Sequence, residues 1–257
     1  MCLIAFTIGQ NPAYPLVIAA NRDEFFRRPT AAMDWWTPAG QSPVLAGRDL
    51  ASGGTWLAVA ADGRVAAVTN VREGSQESGQ RSRGELPLLA LSSDKSALSR
   101  DLKDHPDRYA GFNLVSLGTD GGWYYSNRDA HPGRRVFRGS YGLSNHLLQT
   151  PWPKLLTLRG AVTERVALAD QDTDRLHEDL IHLLQDTRQA PDHLLPDTGV
   201  GQATERFLSS PFIIGDDYGT RATTIVTVAA SGQIQVTEQS WNPGARAGER
   251  RRFQWQR

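Results

Sequence analysis

Cys2 directly follows Met1 and is the chain's one cysteine. Methionine aminopeptidases remove Met ahead of a small side chain. Removal would leave one residue carrying both a free α-amine and a thiol. Such an amine titrates at about 7.7–8.0, near working pH, and suits a general base; the thiol would be the nucleophile it activates. On that reading Cys2 is a reactive thiol of low pKa. Position alone favours a small buried apolar residue at a strand start. Asp23 and Glu24 offer two carboxylates beside Arg22, Arg27 and Arg28, either for chemistry or for weak surface pairing. Arg48 and Asp49 read as an internal ion pair, and Gly53-Gly54 as a tight turn with positive φ. His177 and His182 are five residues apart, not the four that align two ligands on a helix face, and the six histidines read as ordinary surface residues with no metal site. No CxxCH, P-loop or GxGxxG after a strand is present, so no cofactor is required.

The elements that position these residues belong to a chain of 257 residues, read as a single domain over 1–257. Lys+Arg and Asp+Glu are both 28, a balance that argues against a nucleic-acid binder and against charge-driven attachment to anionic lipid; no run approaches the length of a membrane span, so no stable membrane insertion is expected. The basic residues are 25 arginines and three lysines, either a compositional bias or a supply of forks for carboxylate and phosphate. No basic n-region precedes the short apolar stretch 2–8, so no signal peptide is expected. The expected location is cytoplasmic, with Cys2 reduced.

CLIAFTI (2–8) is apolar throughout and fits a buried strand. A second strand, 15–25, ends in charged residues. Residues 55–61 and 64–70 flank Asp62-Gly63, a strong hairpin signal. Residues 74–85 are polar and loop-like, with weak helices at 86–93 and 95–104. Residues 111–117 pair with 123–127, and 136–145 reads as another short hairpin. The period then becomes helical from Pro151, with Leu176, Leu180, Leu183 and Leu184 on one face. Strands return after 210, at PFIIGD, RATTIVTVA and QIQVTEQSW, and the basic GERRRF (248–253) reads as a solvated terminus. The order strands, helices, strands implies a layered α+β architecture.

Four segments together resemble one family: MCLIAF (1–6), ANRDEFFRRPT (20–30), GRDLASGGTWLAV (47–59) with VTNVRE (68–73), and GLSNHLLQTPWPKL (142–155). This is the NRDE family, also called the transport and Golgi organisation 2 family. It resembles the cysteine branch of the N-terminal nucleophile (Ntn) hydrolases, whose fold is a four-layer αββα sandwich with the nucleophile opening the first strand. The resemblance implies Cys2 as nucleophile, Asn70 and Asn145 near the oxyanion, and Arg221 near the thiol. It also implies Glu24 as the holder of the α-amine, with Asp23 its rival. Asn21 stands where that branch has an arginine beside the thiol, and Arg22 lies on the other strand face from Asn21. Without the resemblance, Asn70 and Asn145 read equally as residues that bind turn backbone.

Two functions follow. One is amide or thioester acyl transfer or hydrolysis by an Ntn-type amidase or acyltransferase. The other is a non-catalytic carrier of haem or of acyl-CoA and lipid, with haem as a bound ligand and not a required cofactor. For the carrier, Trp35, Trp36, Trp56, Phe25 and Phe26 would wall the ligand, and Arg22, Arg48 and Asn21 would help hold its polar groups.

Overall fold

Apolar runs that need cover on both faces become inner strands. The structure, a computed structural model, describes residues 2–74 and 79–257. The first sheet has six antiparallel strands: β1 (Cys2–Ile8), β2 (Leu16–Phe25), β10 (Gly139–Leu143), β11 (Tyr218–Val228), β12 (Gln233–Asn242) and β13 (Arg246–Gln256), in the order β10-β1-β2-β11-β12-β13. The second has seven: β3 (Thr30–Trp36), β4 (Val44–Asp49), β5 (Leu57–Ala60), β6 (Val65–Asn70), β7 (Phe112–Gly118), β8 (Gly121–Ser126) and β9 (Arg134–Val136), in chain order.

Strand alternation sends Ile4, Phe6, Ile8, Leu16 and Ile18 against Leu45, Leu57, Val59 and Val115, forming the core between the sheets. The opposite faces of β1 and β2, including Leu3, Ala5, Val17 and Ala19, pack on α3 (Pro153–Ala167) and α4 (Thr173–Leu183). The outer face of the second sheet packs on α1 (Leu86–Ser92) and α2 (Lys95–Asp104). A short helix, α5 (Gln202–Phe207), precedes β11. The result is the four-layer αββα sandwich that the resemblance implies. Among the described residues no helix is long and apolar enough to cross a membrane.

Local signals account for many of the ends. Asp94 caps α2 by accepting from the Ser96 and Ala97 amides, and Asp172 caps α4 by accepting from Arg175. Gly63 turns the β5–β6 hairpin at φ +85°.

Several expectations are corrected. Residues 136–145 are not a hairpin: β9 pairs with β8 in one sheet, and β10 pairs with β1 in the other. PFIIGD is not a strand; its backbone is satisfied by Phe212 donating to the Asp186 carbonyl and Ile213 to the Thr220 hydroxyl. GERRRF lies within β13, where alternate Phe253 and Trp255 pack on the core. His177 is fully buried on the apolar face of α4, between the hydroxyls of Thr237 and Thr227 at 2.8 and 3.0 Å. Part of the expected 74–85 loop, residues 75–78, lies outside the described residues.

Candidate functional site

Cys2 begins β1 with its side chain in the core between the sheets and 8% exposed. Its partner across the ladder is Arg22, so both side chains share one sheet face. The thiol opens into a cavity of about 160 Å³ with a mostly polar wall that includes Arg22, Glu24, Trp56, Asn70 and Arg83.

Alternation divides the Asn21-Arg22-Asp23-Glu24 segment in two. Arg22 and Glu24 face the cavity, 3.9 Å apart. Asn21 and Asp23 face the helical layer. Asn21 donates to the carbonyls of Leu184 and Pro211 and accepts from Thr223, so it fastens helices to sheet and does not line the cavity. Asp23 accepts from the Thr220 hydroxyl at 2.7 Å. Its burial raises its pKa, opposed chiefly by the buried Lys154.

Arg22 is held from above by Trp56, whose ring centroid lies 4.2 Å from the guanidinium. The ring in turn lies on Gly47, where a Cβ would come within 2.2 Å of it. The Gly53-Gly54 pair has two separate uses. Gly53 turns the chain at φ +76°, as expected, whereas Gly54 admits the backbone of Gly84, which a Cβ would meet at 2.4 Å. That approach brings the 82–84 loop, with Arg83, over the cavity.

Asn70 ends β6 on the cavity wall. Asn145 is fully buried and donates its side-chain amide to the Asn70 carbonyl at 3.0 Å and to its side-chain oxygen at 3.2 Å. With that oxygen accepting from Asn145, the Asn70 side-chain NH2, which has no hydrogen-bond partner among the described residues, can donate toward a ligand. Next to Asn145, the Ser144 hydroxyl donates to the Cys2 carbonyl at 3.5 Å.

Burial pushes the Cys2 thiol above its ordinary pKa; the amino-terminal charge and, to a lesser degree, Arg22 oppose the rise, and Asp23 and Glu24 add to it. With Met1 in place the thiol is thus held toward its neutral form, and a base beside it would be needed to ionise it.

The sequence profile of the transport and Golgi organisation 2 family matches residues 1–243. The human transport and Golgi organization protein 2 homolog is 36% identical over 259 residues, and the mouse homolog 34% over 262, each alignment covering 93% of both chains. The chain belongs to the transport and Golgi organisation 2 family. Solved structures similar to this NRDE chain include a mutant of the conjugated bile acid hydrolase of Clostridium perfringens. That match has a TM-score of 0.45 and 7% identity, covering 99% of this chain and 97% of that one. Another is a Caenorhabditis elegans orthologue of N-acylethanolamine-hydrolyzing acid amidase, with TM-score 0.41 and 11% identity, covering 81% and 98%.

In this member of the NRDE family the remaining expected residues lie further out. Arg221 is the extra residue of a bulge where β11 passes β2 between Thr220 and Ala222. Its guanidinium donates to the carbonyls of Phe25 and Arg28 and to the Thr30 hydroxyl, clamping the turn after β2. Arg48 is exposed on the outer face of the second sheet, stacked 4.8 Å from Trp36, and does not pair with Asp49. Asp49 instead holds Arg28 at 2.7 Å and accepts from the Ala51 and Ser52 amides. Of the five aromatic residues expected to wall a ligand, Trp56 alone lines the cavity among the described residues.

Behind the Cys2 strand lies a buried cluster that the sequence did not single out. Arg72 pairs with Glu205 and stacks 4.8 Å from Trp152. The Lys154 ammonium donates to the Leu208 carbonyl at 2.7 Å, and burial lowers its pKa to about 8. Arg83 was also missed. It sits in a polar loop with no periodic pattern around it, and its one signal was being an arginine in the short Ser82-Arg83-Gly84 run. Among the described residues no three His, Cys, Asp or Glu side chains come together to hold a metal.

Proposed function

We propose that this chain is an Ntn-type acyl hydrolase or acyltransferase acting on a small amide or thioester, with Cys2 as nucleophile once Met1 is removed. The observation that carries this reading is the Cys2 side chain. It stands at the second residue, at the head of an inner strand, and opens into a polar cavity shared with Arg22, Glu24 and Asn70.

In the proposed reaction the Cys2 sulfur attacks the substrate carbonyl carbon while its proton passes to the α-amine of the same residue. The negative charge that develops on the carbonyl oxygen is met by the Asn70 side-chain NH2, which Asn145 orients. Collapse breaks the bond to the leaving nitrogen or sulfur, which takes the proton back from the ammonium. Water or another acceptor then releases the acyl group from sulfur, with the amine again acting as base. Glu24 and Asp23 flank the strand end from its two faces and stabilise the ammonium; Arg22 orients the site beside the thiol. Cytoplasmic residence belongs to the same reading, because the thiol has to stay reduced.

The cavity volume of 160 Å³ is below the roughly 300–1,000 Å³ of sites that enclose drug-sized ligands. This favours a small acyl group over haem or a long chain. The test uses protein made without an amino-terminal tag. Intact-mass analysis is expected to show loss of Met1, and short acyl amides and thioesters are expected to leave an acyl mass on the native chain but not on Cys2→Ala. Retained Met1 would sink the amine-as-base step. Haem or long-chain acyl-CoA bound equally by both proteins, without turnover, would replace the hydrolase with the carrier.

A further inference from the structure

A second and larger concavity of about 920 Å³ opens at the other end of β6 from the Cys2 cavity. Arg64, just before β6, borders it, while Asn70, the last residue of β6, borders the Cys2 cavity. Six strand residues separate the two by roughly 20 Å, so they are distinct sites.

The cations of this groove come from separate elements. Lys95, Arg100 and Lys103 project from α2, Arg135 from β9 and Arg257 from the chain end. Among the described residues none of these five has a carboxylate within ion-pair distance; Arg135 has only the ring of Phe137, 5.6 Å away. This departs from the habit of the chain, in which Arg28, Arg108, Arg134, Arg165, Arg206 and Arg250 each hold a carboxylate. Acidic residues on the wall are Asp62, already paired with Arg64, and Asp120. A local cation excess in a chain of zero net charge concentrates an anion at that place.

We propose that this groove binds a small organic polyphosphate with a planar apolar portion. Cations on several walls of one concavity suit several phosphates held close together. A planar portion is favoured by Phe137, a ring left 62% exposed at the groove. The hydroxyls of Ser96 and Ser99 add donors that a phosphate oxygen can use.

The test is calorimetric titration of the full chain at low ionic strength with adenosine triphosphate and with inorganic tripolyphosphate, both without divalent metal. Both are expected to bind, with affinity falling as salt rises. The exposed double variant Lys103→Glu/Arg135→Glu is expected to lose roughly tenfold or more in affinity for both while keeping the native melting temperature. Phe137→Ala is expected to weaken adenosine triphosphate alone, and Cys2→Ala to change neither. Absence of binding at about 1 mM ligand, equal binding by the double variant, or tighter binding of a poly-glutamate peptide than of either phosphate would overturn the proposal.

Discussion

The Arg22 guanidinium stacks 4.2 Å from the Trp56 ring at the strand position directly across from Cys2, and the ring fits only because residue 47 is glycine. Gly47→Ala should therefore destabilise the fold by about 1–3 kcal/mol, the usual cost of forcing an extra methyl into a packed site; urea denaturation reads it. Trp56→Leu should instead leave a folded protein whose Arg22 is no longer held. Because Arg22 opposes the rise of the Cys2 pKa, the pH profile of iodoacetamide labelling should move to higher pH in that variant. An unchanged profile would mean that the stack is structural only.

Asn70 and Asn145 should separate by role. Asn70→Ala removes the donor on the cavity wall and should cut turnover by about 10²–10³ with little change in KM, the range for one lost oxyanion donor. Asn145→Ala leaves Asn70 in place but unoriented and removes buried hydrogen bonds, so it should lower both turnover and thermal stability. Steady-state kinetics beside a melting curve checks the pair. Equal kinetics for Asn70→Ala and the native chain would remove Asn70 from the reaction.

His177 is buried without a charged partner in contact, and burial lowers its pKa to about 3. Its unfolded value is about 6.5. Above that pH neither state binds the proton, and stability is full. As pH falls from 6.5 toward 3 the unfolded chain gains a proton that the folded chain refuses, and stability is lost. His177→Gln should therefore be less stable at neutral pH yet flatter in acid. By pH 4.5 its relative gain should be about 2–3 kcal/mol, read from urea midpoints.

Glu238 works in the opposite direction. It is buried between the sheets, accepts from the Met33 amide at 2.7 Å, and burial raises its pKa to about 7. Below about 4.5 both states are protonated. As pH rises from there to 7 the unfolded chain ionises first, and stability is lost. Glu238→Gln keeps an oxygen for Met33 and should gain stability relative to the native chain by up to about 3 kcal/mol between pH 4 and pH 8. The two groups offset each other near pH 5–6, so the native curve alone conceals both and the variants resolve them.

Much of the layering was legible because it follows from which faces are apolar. β1 and β2 read as covered strands, and Asp62-Gly63 placed the central hairpin where Leu57 pairs with Ala67. The β9–β10 segment misled because a chain that changes sheets has the same local pattern as one that turns back. His177 misled because a histidine on an apolar helix face is polar by type and buried by place. For the site, Cys2, Arg22, Glu24, Trp56 and Asn70 were visible as types. The division of Asn21, Arg22, Asp23 and Glu24 between two strand faces depends on register, which sequence alone left one residue uncertain between Asp23 and Glu24. Arg83 depends on Gly54 admitting the Gly84 backbone, a tertiary contact with no local signature.

The seven-stranded sheet is built from one stretch of chain, 30–136, whereas the six-stranded sheet draws on 2–25, 139–143 and 218–256. In order of synthesis this sets a delay. β2 leaves the ribosome early, but its second neighbour, β11, begins only at Tyr218. At about 5–20 residues per second that interval is roughly 10–40 s. Throughout it the amino-terminal strand belongs to an unfinished sheet, the state in which the Met1 removal required by the proposed function would take place. When β11 arrives it closes the edge beside β2 and completes the surroundings of Cys2. On the proposed function, the chain's own topology places trimming ahead of closure.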